Sequence, residues 1–321
     1  MGNPLDYRRV IIFLGFAFGL AWLVGLAIYL TGGLARSPEI VPRTGITLAV
    51  VLLAFCYMWA PALANILTRL VTREGWKDTC LRPRLRAWPY WAAAWFVPAV
   101  ATLFGAALFF AIFPQYYDPS LKTLSDMLAK TGVVIPIRPW VLVFIQTIFT
   151  VLISPLANGL FTFGEEFGWR AYLQPKLMPL GGRKAVLLTG IIWGVWHWPI
   201  IAMGHNYGLE YPGAPWLGML AMVWFTIVTG TFLGWVTIRA GSVWPAVIGH
   251  AAINGISGLP ALFIQGTPNF LLGPLPVGLI GSVAWSFMAL AIFLAPSAFK
   301  PVSVEPPPAP QTSGDAPASM R

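Results

Sequence analysis

The sequence predicts an all-α bundle of membrane-spanning helices, and composition and apolar run length carry that expectation. Of 321 residues, 57% are hydrophobic and 10% charged, and the mean hydropathy is +0.72. A soluble domain carries roughly 25% charged residues. Here the deficit extends along most of the chain, so it is not one anchor on a soluble body. Apolar runs approaching the ~20 residues that cross a bilayer as a helix recur with short polar gaps. The short alternating segments of a β-barrel are missing from the pattern.

Run length places about eight spans, near residues 10–30, 45–70, 89–113, 140–164, 184–204, 216–238, 243–265 and 271–295. The last is interrupted by the Gly- and Pro-rich stretch 266–276. The chain divides into N-terminal helices and loops (1–139), a core (140–265), a C-terminal helix (266–295) and a tail (296–321). That tail is rich in Pro, Ser and Ala and too poor in apolar residues to fold, so it is expected to be disordered. Leu121 to Lys130, within the 114–139 loop, fits a short interfacial helix. The first run follows Arg8 and Arg9, exceeds a signal-peptide core in length and precedes no clear cleavage site, so it is expected to stay as a span.

Charge then sets orientation. With the N-terminus inside, the inner segments hold Arg8, Arg9, Arg69, Arg73, Lys77, Arg82, Arg84, Arg86, Arg170, Lys176, Arg183, Lys184, Arg239, Lys300 and Arg321. The outer segments hold only Arg36, Arg43, Lys122, Lys130 and Arg138. This bias of 15 to 5 predicts both termini in the cytoplasm of a cell-membrane protein. Trp88, Trp91, Trp140, Trp216 and Trp244 fall near span ends, where amphipathic rings prefer the interface. The net charge of +9 therefore reads as topology and contact with anionic lipid headgroups, not as nucleic-acid binding. Cys56 and Cys80 have no metal or redox spacing. No internal repeat of the kind transporters carry is evident.

Three polar stretches interrupt the apolar pattern. Glu165-Glu166-Phe167-Gly168-Trp169-Arg170 ends the fourth span, Trp193-Gly194-Val195-Trp196-His197 lies in the fifth, and His250-Ala251-Ala252-Ile253-Asn254 in the seventh. An ionisable group at the centre of a membrane helix costs roughly 2.5–3.5 kcal/mol on insertion scales, so such groups face the bundle interior and find partners. Glu166 and Arg170 are four apart, in the favoured acid-before-base order for a helical pair. Glu165 points about 100° away, which leaves it free to face a cavity. His250 and Asn254 share one face. His197 lies one turn beyond Trp193, whose ring is placed to shield or position it. His205 follows the fifth span and reads as a solvated loop residue. Each stretch alone fits helix packing or an interfacial ion pair; three together in one chain favour a shared site.

In that order these stretches resemble the motifs EExxxR, FxxxH and HxxxN of the CPBP family, which includes type II CAAX prenyl proteases and bacterial Abi-type membrane proteins. The resemblance covers roughly residues 140–265. Trp193 stands where the pattern has Phe, and Ala171 where many members have Gly. The resemblance implies an intramembrane endopeptidase acting on a membrane-associated protein or peptide, CAAX-type prenylated ones included. It implies Glu165 as general base, His197 holding the same water, and His250 and Asn254 as oxyanion donors, with Glu166, Arg170 and Trp193 in support. Peptide hydrolysis needs that set: an activated water, oxyanion donors and a proton for the leaving amine. A metal-free glutamic mechanism with no cofactor is favoured, since no HExxH helix is present. The alternative makes Glu165, His197 and His250 zinc ligands. A different class of function, a self-immunity protein, scaffold or transporter using the same buried polar groups, remains open at the level of sequence.

Overall fold

The computed structural model describes residues 5–42, 44–131 and 137–300. The expected disordered tail lies, from residue 301 onward, outside the described residues. The fold is a helical bundle, as composition predicts. Among the described residues its strands form one short antiparallel pair, Glu39–Val41 (β1) with Ile46–Thr47 (β2).

The first span is α1, Tyr7–Leu30, capped by the Asp6 carboxylate, which accepts from the Arg9 N–H at 3.1 Å. At about 1.5 Å per residue its 24 residues cover the hydrocarbon core. The second span is composite: α2 (Leu48–Leu52), a π-helical turn (Leu53–Tyr57) and α3 (Ala60–Val71). The third is α4, Trp88–Ile112. A short helix, α5 (Lys122–Thr131), occupies the place expected for an interfacial helix. The segment before it is tied to the distant stretch 263–265, with Asp118 N–H donating to the Phe263 carbonyl at 2.8 Å and Gln265 N–H to the Tyr116 carbonyl at 2.9 Å.

Next come α6 (Pro139–Leu152) and α7 (Ser154–Gly168), bent by 48° at Ile153. Pro155 explains the bend, because it has no N–H for the Val151 carbonyl four residues back. The indole Nε1–H of Trp95 takes that carbonyl instead, at 2.7 Å. A second π-helical turn, Trp169–Leu173, leads to α8 (Gln174–Leu177). Then follow α9 (Gly182–Trp196), α10 (Trp198–Ala202), α11 (Trp216–Ala240), α12 (Trp244–Ile256) and α13 (Val283–Leu294).

Among the described residues, five helices are long and apolar enough to span, and six if the bent α6–α7 pair is one span. About eight were expected. The fifth expected span is two helices that break at His197, and Pro199 follows the break. The eighth reduces to the twelve residues of α13, because the stretch before it, with Gly273, Pro274, Pro276, Gly278 and Gly281, folds as turns.

The spans differ in depth. The apolar windows of α11 and α12 are 72% and 67% buried, against 28–33% for α1, α2–α3 and α4. Helix α11 packs on α9 and α13, and α12 on α7 and α4. The outer helices turn large side chains such as Leu23, Phe104 and Phe144 outward, which suits lipid. Small residues allow close helix approach. A Cβ at Gly164 would lie 2.5 Å from the Met58 carbonyl, and one at Gly168 2.3 Å from Pro61 Cβ. This pair seats α7 on the composite second span and so fixes the height of the carboxylates between them.

Candidate active site

Glu165 and Glu166 lie in the last turn of α7 and diverge as the helical angle dictates. Arg170 occupies the π-helical turn that follows. All three are buried. Glu166 Oε1 accepts from Arg170 Nη1 at 2.9 Å and from His250 Nδ1 at 2.8 Å. One carboxylate oxygen thus joins the first polar stretch to the third across the α7–α12 contact. The Arg170 guanidinium stacks 4.3 Å from the centroid of the Trp193 ring.

Trp193 fastens the second stretch to the first. Its indole Nε1–H donates to Glu165 Oε2 at 2.6 Å, and its ring meets the His250 ring edge-on at 5.2 Å. The sequence suggested a shield for His197; the structure gives Trp193 a polar contact as well, one that the Phe of the family pattern would lack.

His197 sits at the break between α9 and α10, and the break sets its ring. Its own N–H turns to the Gly194 carbonyl, and the imidazole Nδ1 lies 2.8 Å from the Trp193 carbonyl in its place. The Trp196 carbonyl, also released, accepts from Tyr57 Oη at 2.6 Å and Trp22 Nε1 at 3.2 Å. Since a carbonyl only accepts, Nδ1 of His197 carries the hydrogen and Nε2 is left as an acceptor.

Glu165, Trp193, His197, His250 and Asn254 all line one cavity of about 330 Å³. Glu165, His197 and His250 are buried, while Asn254, one turn along α12 from His250, is exposed. Glu166 and Arg170 stand behind the wall and do not line it. The rest of the lining is mostly apolar, including Ile200, Phe225, Ile253 and Val277. The four candidate reacting groups therefore share one space, with the ion pair outside it.

Tyr57 and His205 line the cavity although the sequence did not place them there. Tyr57, from the first π-helical turn, stacks on Trp196 with ring centroids 4.4 Å apart. His205 is not a solvated loop residue: it is only partly accessible and lines the same cavity. No periodicity marks either one, because each arrives by a local distortion, a π turn and a helix C-terminus.

The alternative zinc set can be tested against the geometry. Both histidines have Nδ1 engaged and Nε2 free, an orientation that partners of metal ligands also impose. Yet among the described residues no three His, Cys, Asp or Glu side chains are grouped so as to hold a metal ion. Cys56 and Cys80 are both unpaired and outside the cavity.

Comparison with known proteins singles out the same part of the chain. Residues 140–256 match the family described as type II CAAX prenyl endopeptidase Rce1-like. A protein of Methanococcus maripaludis named CAAX prenyl protease 2 is 31% identical over 114 residues, 35% of this chain. The chain spans 39% of the length of that relative. The matched segment runs from the start of α6 to the end of α12 and contains every motif residue from Glu165 to Asn254. Residues 140–256 are thus similar to the Rce1-like type II CAAX prenyl endopeptidase family, within a polytopic helical membrane protein.

Proposed function

We propose that the protein is an intramembrane endopeptidase that hydrolyses a peptide bond of a membrane-associated protein or peptide by a metal-free, glutamate-based mechanism. One observation carries this reading: Glu165, His197, His250 and Asn254, from three separate helical segments, line one cavity while Glu166 and Arg170 lie behind it. Prenylated CAAX-type proteins are the substrate class that the family suggests.

In this reading Glu165 removes a proton from the water as its oxygen attacks the scissile carbonyl. The Trp193 N–H on Oε2 leaves Oε1 free for that proton. His197 Nε2 accepts the water's second hydrogen and orients its lone pair toward the carbonyl. The resulting oxyanion accepts from Asn254 Nδ2 and His250 Nε2. With Nδ1 donating to Glu166, His250 can donate from Nε2 only as the imidazolium. The charges then balance: Glu165 and Glu166 against Arg170 and His250. The proton held by Glu165 passes to the amide nitrogen as the C–N bond breaks, giving a free acid and a free amine. The inner-segment excess of Lys and Arg supports cytoplasmic termini, with the acidic end of α7 toward that side.

The test is a cleavage assay of purified protein against a membrane-peptide library. Glu165→Gln keeps the volume but removes the base, so cleavage falls by about two or more orders of magnitude, with protein level unchanged. Wild-type cleavage by that variant would remove Glu165 from the role. His250→Ala and Asn254→Ala each lower turnover by about 10²–10³ and leave measurable activity. Chelator resistance with substoichiometric zinc is expected. One tight zinc per chain, with activity lost on its removal and restored on its return, would make Glu165, His197 and His250 ligands.

A further inference from the structure

The cavity has a second polar wall that the proposed chemistry does not use. It is built by the C-terminus of α10. Gly204 has φ +92°, a left-handed conformation that favours glycine. Its N–H donates to the Ile201 carbonyl at 2.9 Å, and the His205 N–H to the Ile200 carbonyl at 3.0 Å. This pair of bonds is the Schellman closure of a helix. It pins the His205 backbone, so the two ends of α10 present His197 and His205 to the same cavity. Asn206 follows with φ 67°, a conformation Asn tolerates better than most side chains. Tyr207 is buried and its hydroxyl donates to the Val277 carbonyl at 3.0 Å, which anchors the turn from below.

The free valences of this wall are specific. Neither imidazole nitrogen of His205 has a hydrogen-bond partner among the described residues, although the turn that carries it is held at both ends. Asn206 Nδ2 leans on Met222 Sδ at 3.7 Å, a weak contact, and Oδ1 is left unused. The wall therefore offers one N–H donor and one carbonyl acceptor on adjacent residues. That is the complement of a peptide unit, which presents one C=O and one N–H. A terminal carboxylate fits less well. No Lys or Arg lines the cavity, the His250 charge is already matched by Glu166, and the Glu165 carboxylate is itself in the lining; burial pushes the His205 imidazole down to about 4, so it is neutral near pH 7.

We propose that His205 and Asn206 form a substrate subsite that binds the backbone of an extended peptide, His205 donating to a main-chain carbonyl and Asn206 Oδ1 accepting a main-chain N–H. This rests on the endopeptidase reading and adds the part of the substrate that is gripped away from the scissile bond. Both residues are positioning residues. The grip is on the main chain, so it is indifferent to side-chain sequence and to whether the peptide ends in an acid or an amide.

The experiment measures binding apart from cleavage. Full-length Glu165→Gln protein in detergent is titrated with a fluorescently labelled pool of apolar nonapeptides, in free-acid and amidated forms. His205→Ala, and Asn206→Gly, which preserves the left-handed backbone, each weaken binding about 5- to 10-fold, the scale of one hydrogen bond. The two peptide forms lose equally, and His205→Gln, which keeps a donor, restores most of the affinity. N-methylated peptides bind the parent protein less well, yet Asn206→Gly no longer distinguishes them. In the otherwise wild-type enzyme the same changes raise KM and leave kcat within about twofold. A loss confined to free-acid peptides, equal loss in His205→Gln and His205→Ala, unchanged affinity, or no saturable binding would each overturn the subsite. Failure of wild-type protein to cleave any library peptide, with these binding differences intact, would sink the protease reading alone.

Discussion

Two buried arginines, built from the same local pattern, meet different surroundings. Arg69 and Arg170 both follow a polar residue by four positions on a helix and bond to it, Arg69 Nε to Asn65 Oδ1 at 2.7 Å and Arg170 Nη1 to Glu166 Oε1 at 2.9 Å. Each guanidinium lies over aromatic rings, Arg69 over Trp76 and Tyr172, Arg170 over Trp193. Their surroundings part company there. Arg69 closes the end of α3 by reaching outward to Asp78, whose side chain is 53% exposed, and to the Gly75 carbonyl. Nearby, Glu74 is bonded by Lys176 and by the Tyr172 hydroxyl. Among the described residues Arg170 has no outward partner: its carboxylate is fully buried and is shared with His250. The first is a clamp on a loop, relieved by solvent. The second is a closed charge network whose members have nowhere to turn if one is removed.

That difference predicts the largest effect. Arg170→Ala strands the Glu166 charge and costs about 3–5 kcal/mol, the scale of a broken buried pair, read as loss of folded protein or a large fall in Tm. A Tm equal to wild type would mean that Glu166 finds another partner and that the two arginines are not distinct in kind. Trp193→Phe probes the same network more gently. It keeps the ring but removes the N–H that Glu165 accepts at 2.6 Å. A hydrogen bond to a charged group is worth about 1.5–3 kcal/mol, so cleavage falls roughly 10- to 100-fold while the far-UV spectrum and Tm hold. Unchanged kcat and KM would place Trp193 among packing residues only.

Arg69→Ala sharpens the contrast from the other side. It lowers Tm through lost packing and a lost loop clamp, a loss of about 1–3 kcal/mol of stability, since water reaches Asp78. Cleavage per folded molecule stays at the wild-type level. A matching loss of turnover would tie the clamp to the cavity. The smallest effect is a pH dependence. Burial raises the Asp78 pKa, but the hydrogen bond and charge of Arg69, with Lys176, hold it on balance below its ordinary 3.8. A lowered folded-state value contributes stability above the unfolded pKa and loses it as pH falls through the folded one. The Tm gap between wild type and Asp78→Asn is therefore open above the ordinary carboxylate range and closes as pH falls through the lowered folded-state value. A gap that persists in acid would show that Asp78 acts by packing.

The two arginines also show what was legible. Glu166–Arg170 was readable from spacing alone, because an α-helix brings positions four apart together. The same period put His250 and Asn254 on one face, and the 100° step separated the two glutamates. The Arg69 clamp was counted only as an inner positive charge: its partners lie in an aperiodic loop. The link from Glu166 to His250 joins residues 84 positions apart, which no local period encodes.

The sequence by itself determined that this chain lives in a bilayer as helices, because solvation of apolar runs depends on composition and length and on little else. It also determined which residues are costly enough in lipid to need a purpose. The tertiary structure alone decided how many of the runs remain unbroken, since Pro155 and the break at His197 leave carbonyls that distant side chains, Trp95, Tyr57 and Trp22, satisfy. It decided, too, that Trp193 donates to Glu165 and that His205 turns into the cavity. Those contacts depend on helices packed in three dimensions, and backbone spacing carries no information about them.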